Sequence, residues 1–596
     1  MSLLGPVSKS HKWWSVIVQY LFMMVFRIVG NVTCKKFNEN SKAIKKSQDE
    51  FLTGMLDNAK NTEYGKRYNF SSIKNREEFV KIHPLTTYNH YKDYIERIMN
   101  GETDVMIPGQ PLMMAVTSST SSGQSKALPV AKDYYTNMMM TLVGVWMQEL
   151  QNFPNQRCLG KTLRVYFAPK IRYTDAGIRM GPISTPPPDW TTNVFQQLAT
   201  TPTEAFNHVL PEADMLYIHI LFALADKSLV LIDCVFASMV YTFGQTMETH
   251  WREFVEDIRV GRIKKSLNIP DDLRWKLNEY LEPDPERAAE LEEEFKKGPV
   301  GIFKRAWPYL GVITCITTGT FAIYMKKLTE IYGKGCNFYT AFYGASEATV
   351  GVGLYEKSRD PPLYVMVPAS SAFFEFIPIA DSYEENPKTL FADQVKVGEV
   401  YELVLSTRNG LYRFRFGDVI KVADKYNETP MLEFKYRIGQ LLNVRGEKTS
   451  EDAFSYALQL AMEQWPAGVI LKDYCCCESV LVDKPEDEQQ SGEASEAPHY
   501  IAFVELEAEG AKDAKITQEQ KELVDRHLRN GSYPYESFRR KNAIAPVKVY
   551  VVPPGTFTAF RNYIVNNTGA SLNQVKVPRA LRREDYYHFM KGCVAE

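Results

Sequence analysis

Apolar residues recur three and four positions apart through ADMLYIHILFALAD (213–226) and ETHWREFVEDIRVGR (248–262), predicting long helices between Glu204 and Val260. From Phe37 to about Leu85, charges alternate with apolar residues at the same spacing, as in FLTGMLDNAKNTEYGKRY, which predicts surface helices. The pattern then shortens. GVITCITTG (311–319), GCNFYTAFYG (335–344) and AFFEFIPIA (372–380) are rich in β-branched and aromatic residues and read as strands. Helices interleaved with strands imply α/β architecture, with sheets flanked by helices. The prolines of IRMGPISTPPPDW (178–190) mark a loop.

Near Arg437 the text changes to YRIGQLLNVRGEKTSEDAFSYALQLA, a short strand, a turn and a helix capped by Thr449 or Ser450 with Asp452 in its first turn. A small α/β unit therefore spans 437–596, after a large domain at 37–436. Within the small unit KPEDEQQSGEASEAP (484–498) is acidic and aperiodic, predicting a disordered surface loop between two strands.

Residues 1–36 stand apart. WWSVIVQYLFMMVFRIVG, from Trp13 to Gly30, is strongly apolar but carries Gln19 and Arg27, and its uninterrupted part falls short of the roughly 20 residues of a spanning helix. Lys9 and Lys12 precede it and Lys35 and Lys36 follow, so charge asymmetry does not orient it. A signal anchor or signal peptide, an interfacial helix and a buried first helix all fit. Membrane association through 13–30, at the endoplasmic reticulum or another endomembrane, is the expectation; a cytoplasmic protein is the alternative. Sequons at Asn31, Asn69, Asn427, Asn530 and Asn566 do not decide it, since composition alone yields about three.

At 596 residues the chain exceeds what one core serves, in keeping with a large and a small domain. Its 70 Lys+Arg against 72 Asp+Glu create no global field for nucleic acid, so any anion must be held by a local site. Nine cysteines are too few and scattered for a disulfide framework. Cys475, Cys476 and Cys477 are adjacent, and neighbours on a strand point to opposite faces, so they do not close a tetrahedral metal site.

Four polar turns carry candidate chemistry. TSSTSSGQSK (117–126) cannot build a core, but its hydroxyls and backbone amides can wrap a polyphosphate; alone it is as readily a linker. In FYGASEA (342–348), Tyr343 can lie against a purine, Gly344 lets backbone approach and Glu347 can hold magnesium, although a strand end with a helix cap fits equally. GLYRFRFGDV (410–419) ends in Asp418, a carboxylate able to accept from ribose hydroxyls. GASLNQVKVPRA (569–580) presents Lys576 in a polar loop.

In this order the four turns resemble the adenylate-forming superfamily, and more narrowly the Gretchen Hagen family of acyl acid amido synthetases. The resemblance runs from about Phe37 to Ala580 and includes less generic text such as IHPLTTYNHYKDYIERIMNGE and VFASMVYTFGQTMETHW. It implies a large adenylate-forming domain with a small mobile lid. It further implies that ATP and Mg would serve to activate a carboxylic acid as acyl adenylate, from which an amine such as an amino acid would displace AMP. By similarity Ser118, Ser119, Thr120 and Ser121 cradle the phosphates, and Gly319 and Thr320 form a turn beside adenine and acyl group. Tyr343 and Gly344 then take the adenine, Glu347 the metal and Asp418 the ribose. Arg437 is a hinge candidate that would, with Lys448, contact nucleotide, and Lys576 would reach the α-phosphate.

Two positions depart from the family pattern. Ser119 stands where the phosphate loop usually has glycine, and Val575 replaces a tyrosine beside the lysine. The partners implied are small acid and amine substrates acting on a monomer. Two other readings compete: an adenylate-forming enzyme using coenzyme A, and a membrane-tethered, catalytically weak protein that binds nucleotide or small acids.

Overall fold

The apolar run at the N-terminus does not end at Gly30. It forms one helix, Trp13–Ser41, and Gly30 sits inside it because another helix, Lys132–Leu150, comes close there. A Cβ on Gly30 would lie 3.0 Å from the Gly144 carbonyl oxygen, and one on Gly144 would come within 2.8 Å of Thr33 Oγ1. The two glycines let the helices touch, and the helix runs on past the apolar segment. The computed structural model describes residues 13–116, 126–156, 159–168, 171–183, 198–318, 321–357, 361–382, 384, 386–438, 442, 444, 449, 451–481, 497–508, 514–540, 542–568 and 575–594.

Strand-like runs separated by helices build a four-stranded parallel sheet in the spatial order Thr162–Arg164, Leu231–Phe236, Val312–Ile316, Phe338–Tyr339. The predicted helices flank these strands in the chain as Glu212–Ala225 and Ala237–Val260. Glu212–Ala225 is apolar on every side and buried from Met215 to Leu224, a core helix rather than a surface one. Its last carbonyls are met by buried side chains: Trp307 Nε1 donates to Ala223 O at 2.7 Å and Arg287 Nε to Leu224 O at 2.9 Å. A second four-stranded sheet joins Ala127–Val130, Met113–Val116, Arg179–Gly181 and Arg172–Tyr173. Part of the stretch expected to be loop, Arg179–Gly181, is thus a strand, completed by pairing with Met113–Val116.

An eight-stranded sheet runs in the order Leu390–Phe391, Ala372–Pro378, Val400–Thr407, Phe414–Tyr426, Thr429–Arg437, Tyr364–Met366, Thr349–Val352, Phe342–Gly344. Its aromatic face, including Phe373, Tyr364, Phe414 and Phe416, joins Tyr64, Phe79 and Tyr91 in one core.

The chain divides into two compact units, and the second comprises Lys435–Glu596 together with the short stretch Gly417–Val419. In that unit, Val469–Glu478 pairs antiparallel with Tyr500–Ala508, which pairs parallel with Lys548–Val552. The loop expected at 484–498 lies outside the described residues except for its last two positions. One face of this sheet buries Phe454, Leu458, Val524 and Leu528 from two helices; the other buries Phe557, Phe560 and Tyr586. Cys476 faces the first core while Cys475 and Cys477 face the second, the strand alternation that separates them. Burial pushes all three thiols up, so they behave as small apolar residues.

Candidate functional site

In an open parallel sheet the crevice beyond the carboxyl ends of the strands is where ligands gather. Here those ends carry short hydroxyl side chains and paired rings. After Val312–Ile316, Thr317 shares a 2.8 Å hydroxyl contact with Thr340, which follows Phe338–Tyr339 and donates to Cys315 O at 3.0 Å. Thr318 lies 3.3 Å from the Tyr364 hydroxyl. Phe236, ending its strand, stacks on Phe321 with centroids 4.5 Å apart and planes 15° off parallel. Lys327 Nζ sits 5.0 Å above the Tyr241 ring. Deeper in the sheet, Asp233 is already engaged, accepting from Arg164 Nε at 3.0 Å and Thr314 Oγ1 at 2.9 Å, so it is a structural carboxylate.

Tyr343, Gly344 and Glu347 occupy a tight connection in the same unit. Ala345 N donates to Ala348 O at 2.8 Å, closing the turn between Phe342–Gly344 and Thr349–Val352. Thr349 N is anchored by Ser371 Oγ at 2.8 Å, and the buried Tyr134 hydroxyl donates to the Glu347 carbonyl at 3.4 Å. The Tyr343 ring is fixed by Tyr364 at 5.5 Å and by Phe434 edge-on at 5.8 Å. A Cβ on exposed Gly344 would meet nothing nearer than Thr349 Oγ1 at 3.9 Å, so space for a flat ligand lies over the backbone there. Among the described residues no three His, Cys, Asp or Glu side chains cluster as a metal site, and Glu347 is a single buried carboxylate at the turn. That fits magnesium, which takes one or two carboxylates and completes its shell with phosphate oxygens and water.

The second unit gathers the other three candidates. Gly417 adopts φ +82°, turning the strand so that its carbonyl accepts from Ile438 N at 2.6 Å. That bond sets Asp418 against Arg437, whose Nε donates to Asp418 Oδ1. Arg437, the hinge candidate, is the ion-pair partner of the candidate ribose carboxylate. Lys576 lies within Coulombic reach of Arg437, Asp418 and Glu451. Burial and the like charge of Arg437 bring its ammonium down to about 8, with Asp418 and Glu451 pulling the other way. Asp418, with Gly417 and Val419, belongs to the second compact unit.

Ser118, Ser119, Thr120, Ser121, Gly319, Thr320 and Lys448 lie outside the described residues. Phe236, Thr317, Thr340, Phe321 and Glu451 were not singled out by sequence. The only available signal was adjacency, since Thr317 and Phe321 flank the Gly319–Thr320 turn and Glu451 follows the candidate cap.

Comparison with known proteins gives a consistent picture. Three family models match in order: the GH3 family N-terminal domain at 33–336, the central domain at 364–437 and the C-terminal domain at 453–585. The rice (Oryza sativa subsp. japonica) "Probable indole-3-acetic acid-amido synthetase GH3.11" is 29% identical over 569 residues, 90% of this chain and 91% of its own. The Mus musculus "GH3 domain-containing protein" is 36% identical over 299 residues, covering 50% of this chain and 53% of its own. Among solved structures, the AtGH3.15 acyl acid amido synthetase in complex with 2,4-DB superposes with a TM-score of 0.81 at 26% identity, covering 95% of this chain and 96% of that one.

Proposed function

Because this chain belongs to the GH3 family, its three domains present in order, we propose that it is an ATP-dependent acyl acid amido synthetase. A carboxylate oxygen of the acid attacks the α-phosphorus of ATP and displaces pyrophosphate. An amine, such as that of an amino acid, then attacks the acyl carbon, AMP leaves, and the amine gives up a proton. The enzyme needs no nucleophile of its own, because the substrate carries it. Its task is to meet negative charge on the phosphorus with fixed cations and amides.

The observation that carries this reading is the grouping of Lys576, late in the chain, with Asp418 and Arg437. A lysine brought to a carboxylate able to hold ribose is what an adenylating site requires. In this proposal Tyr343 and the open backbone at Gly344 take the purine, Asp418 the ribose, and Lys576 the α-phosphate. Magnesium, held through Glu347, would offset the charge of the phosphate oxygens. The strand-end pair Phe236 and Phe321, with Thr317 and Thr340 beside them, lines the acyl position. Association with an endomembrane such as the endoplasmic reticulum, through the first helix, is part of the same proposal, as is action as a monomer.

Pyrophosphate release with ATP, magnesium and a panel of carboxylic acids, followed by mass spectrometry for acid plus amine less water, tests the reaction. Release with no acid in a panel spanning aryl, indolyl and aliphatic members would sink it. Amide formation replaced by a coenzyme A thioester would favour the thioester-forming alternative.

Phe236→Ala is expected to raise KM for the best acid about tenfold, the worth of one to two kcal/mol of ring contact, with KM for ATP unchanged. Initial rates at varied acid and varied ATP check this. Equal shifts in both constants would place Phe236 away from the acyl group.

A further inference from the structure

The first helix has two sides, and among the described residues its own chain covers only one. Gln19 Nε2 donates to Gly160 O at 3.1 Å, Gly30 and Thr33 meet Gly144, and Phe37 packs against Val145. At its end, Asn38 and Ser41 accept from Tyr426, Asn427 and Thr429. These contacts recur along the helix from 19 to 41, and all belong to the large unit.

Turned the other way are Ile17, Leu21, Met24, Ile28 and Val32, spaced by three and four and between 44% and 65% exposed, with Val25 beside them at 56%. Five large apolar side chains in one stripe are not ordinary scattered surface. Charge identifies what covers them. Lys9, Lys12, Arg27, Lys35 and Lys36 fall in this segment and no acid precedes Glu39, in a chain whose net charge is −2. An apolar stripe bordered by cations alone is complementary to an anionic lipid surface, not to a second copy carrying the same positive charge.

We infer that Trp13–Ser41 is a monotopic docking helix, lying in the plane of an anionic leaflet with the Ile17–Val32 stripe in the acyl boundary and its opposite face holding the large unit. This rests on the membrane association proposed above and decides its mode. A spanning helix must offer lipid an apolar surface all round, whereas this one commits Gln19, Gly30, Thr33 and Ser41 to protein. Cleavage as a signal peptide near Gly30 would cut the helix in its middle and expose the Gly160 carbonyl and the Gly144 contact.

The test uses the full chain with vesicles of phosphatidylcholine alone or containing about one quarter phosphatidylserine. Flotation is expected with the anionic vesicles, weakened by high salt, and reduced at least about tenfold by Leu21→Glu/Ile28→Glu. Both replaced side chains are exposed, so the double variant should keep its unfolding midpoint and its pyrophosphate release. From cell membranes the protein should be released by alkaline carbonate, with its N-terminal residues present by mass. Flotation unaffected by the double substitution would overturn the assignment. So would resistance to carbonate, which marks a spanning helix, or a mature chain beginning beyond the apolar run. A wild-type chain that ignores vesicles but loses a dimer on the double substitution would assign the stripe to a second copy instead. In each case pyrophosphate release is measured separately, so failure of the docking helix and failure of the synthetase reading remain distinct.

Discussion

Lys576→Ala is expected to lower acid-dependent pyrophosphate exchange by about 10²- to 10³-fold without lowering the unfolding midpoint. The two effects separate because the ammonium is poorly placed for stability. It is partly withdrawn from water and lies within reach of the like charge of Arg437, and these outweigh the attraction of Asp418 and Glu451, bringing it down to about 8. Replacing it by alanine removes that desolvation. The same shift fixes the sign of the pH response. The amine is charged below about 8 and neutral above, so exchange should decline as pH rises through that value. Lys576→Arg keeps its charge and should remove the decline, whatever its absolute rate. For stability, the unfolded lysine holds its proton to about its ordinary 10.5 while the folded one releases it near 8. Between these values the unfolded chain binds more protons, and this group's contribution to stability rises with pH. An alanine variant exchanging within twofold of wild type would remove Lys576 from the reaction.

The candidate turns were readable because each is local. Tyr343-Gly344 and Gly417-Asp418 are short strings in which a glycine, a ring or a carboxylate suggests a candidate role without reference to distant residues. Class and order of elements were readable for a similar reason, since periodicity over a dozen residues reports which side of an element is buried. Contacts between distant residues were not. Phe236 and Phe321 are separated by a long stretch of helices, and nothing near either says that the rings will stack. Gly30 says nothing of a close helix contact until Gly144 is placed opposite it. Asp418 reads only as the end of a strand, yet the positive φ of Gly417 turns it toward Arg437.

The arginines of YRFRFGDV show the same gap between pattern and role. Their alternation with Tyr412, Phe414 and Phe416 predicts a strand with one wet face, but both guanidiniums end in buried or half-buried ion pairs. Arg415 Nε donates to Glu402 Oε1 at 2.9 Å. Arg413 is more deeply committed: Nε lies 3.1 Å from both Glu375 oxygens, Nη1 donates to Val80 O at 3.0 Å and His83 O at 2.7 Å, and Nη2 to Thr389 Oγ1 at 3.1 Å. The acid it neutralises is fully buried. The pair thus ties two carbonyls near the end of helix Arg76–Ile82 to the strand leading into Asp418.

Arg413→Ala is therefore expected to cost about 3–5 kcal/mol, because it strands a buried carboxylate along with two carbonyls. Backbone strain does not account for this. Arg413 sits at φ +46°, where glycine is at ease, so Arg413→Gly would recover at most about 1 kcal/mol while losing the same guanidinium. If the desolvated charge is the cause, Arg413→Met/Glu375→Leu should be markedly more stable than Arg413→Ala alone, since an apolar pair leaves no charge behind. Urea unfolding of the three variants decides the matter. Pyrophosphate exchange at low temperature, where Arg413→Ala is still folded, should stay near wild type, because this arginine supports the strand rather than the nucleotide. An Arg413→Ala midpoint equal to wild type would mean that water reaches Glu375 once the guanidinium is gone, and that the core beneath the motif is looser than its contacts indicate.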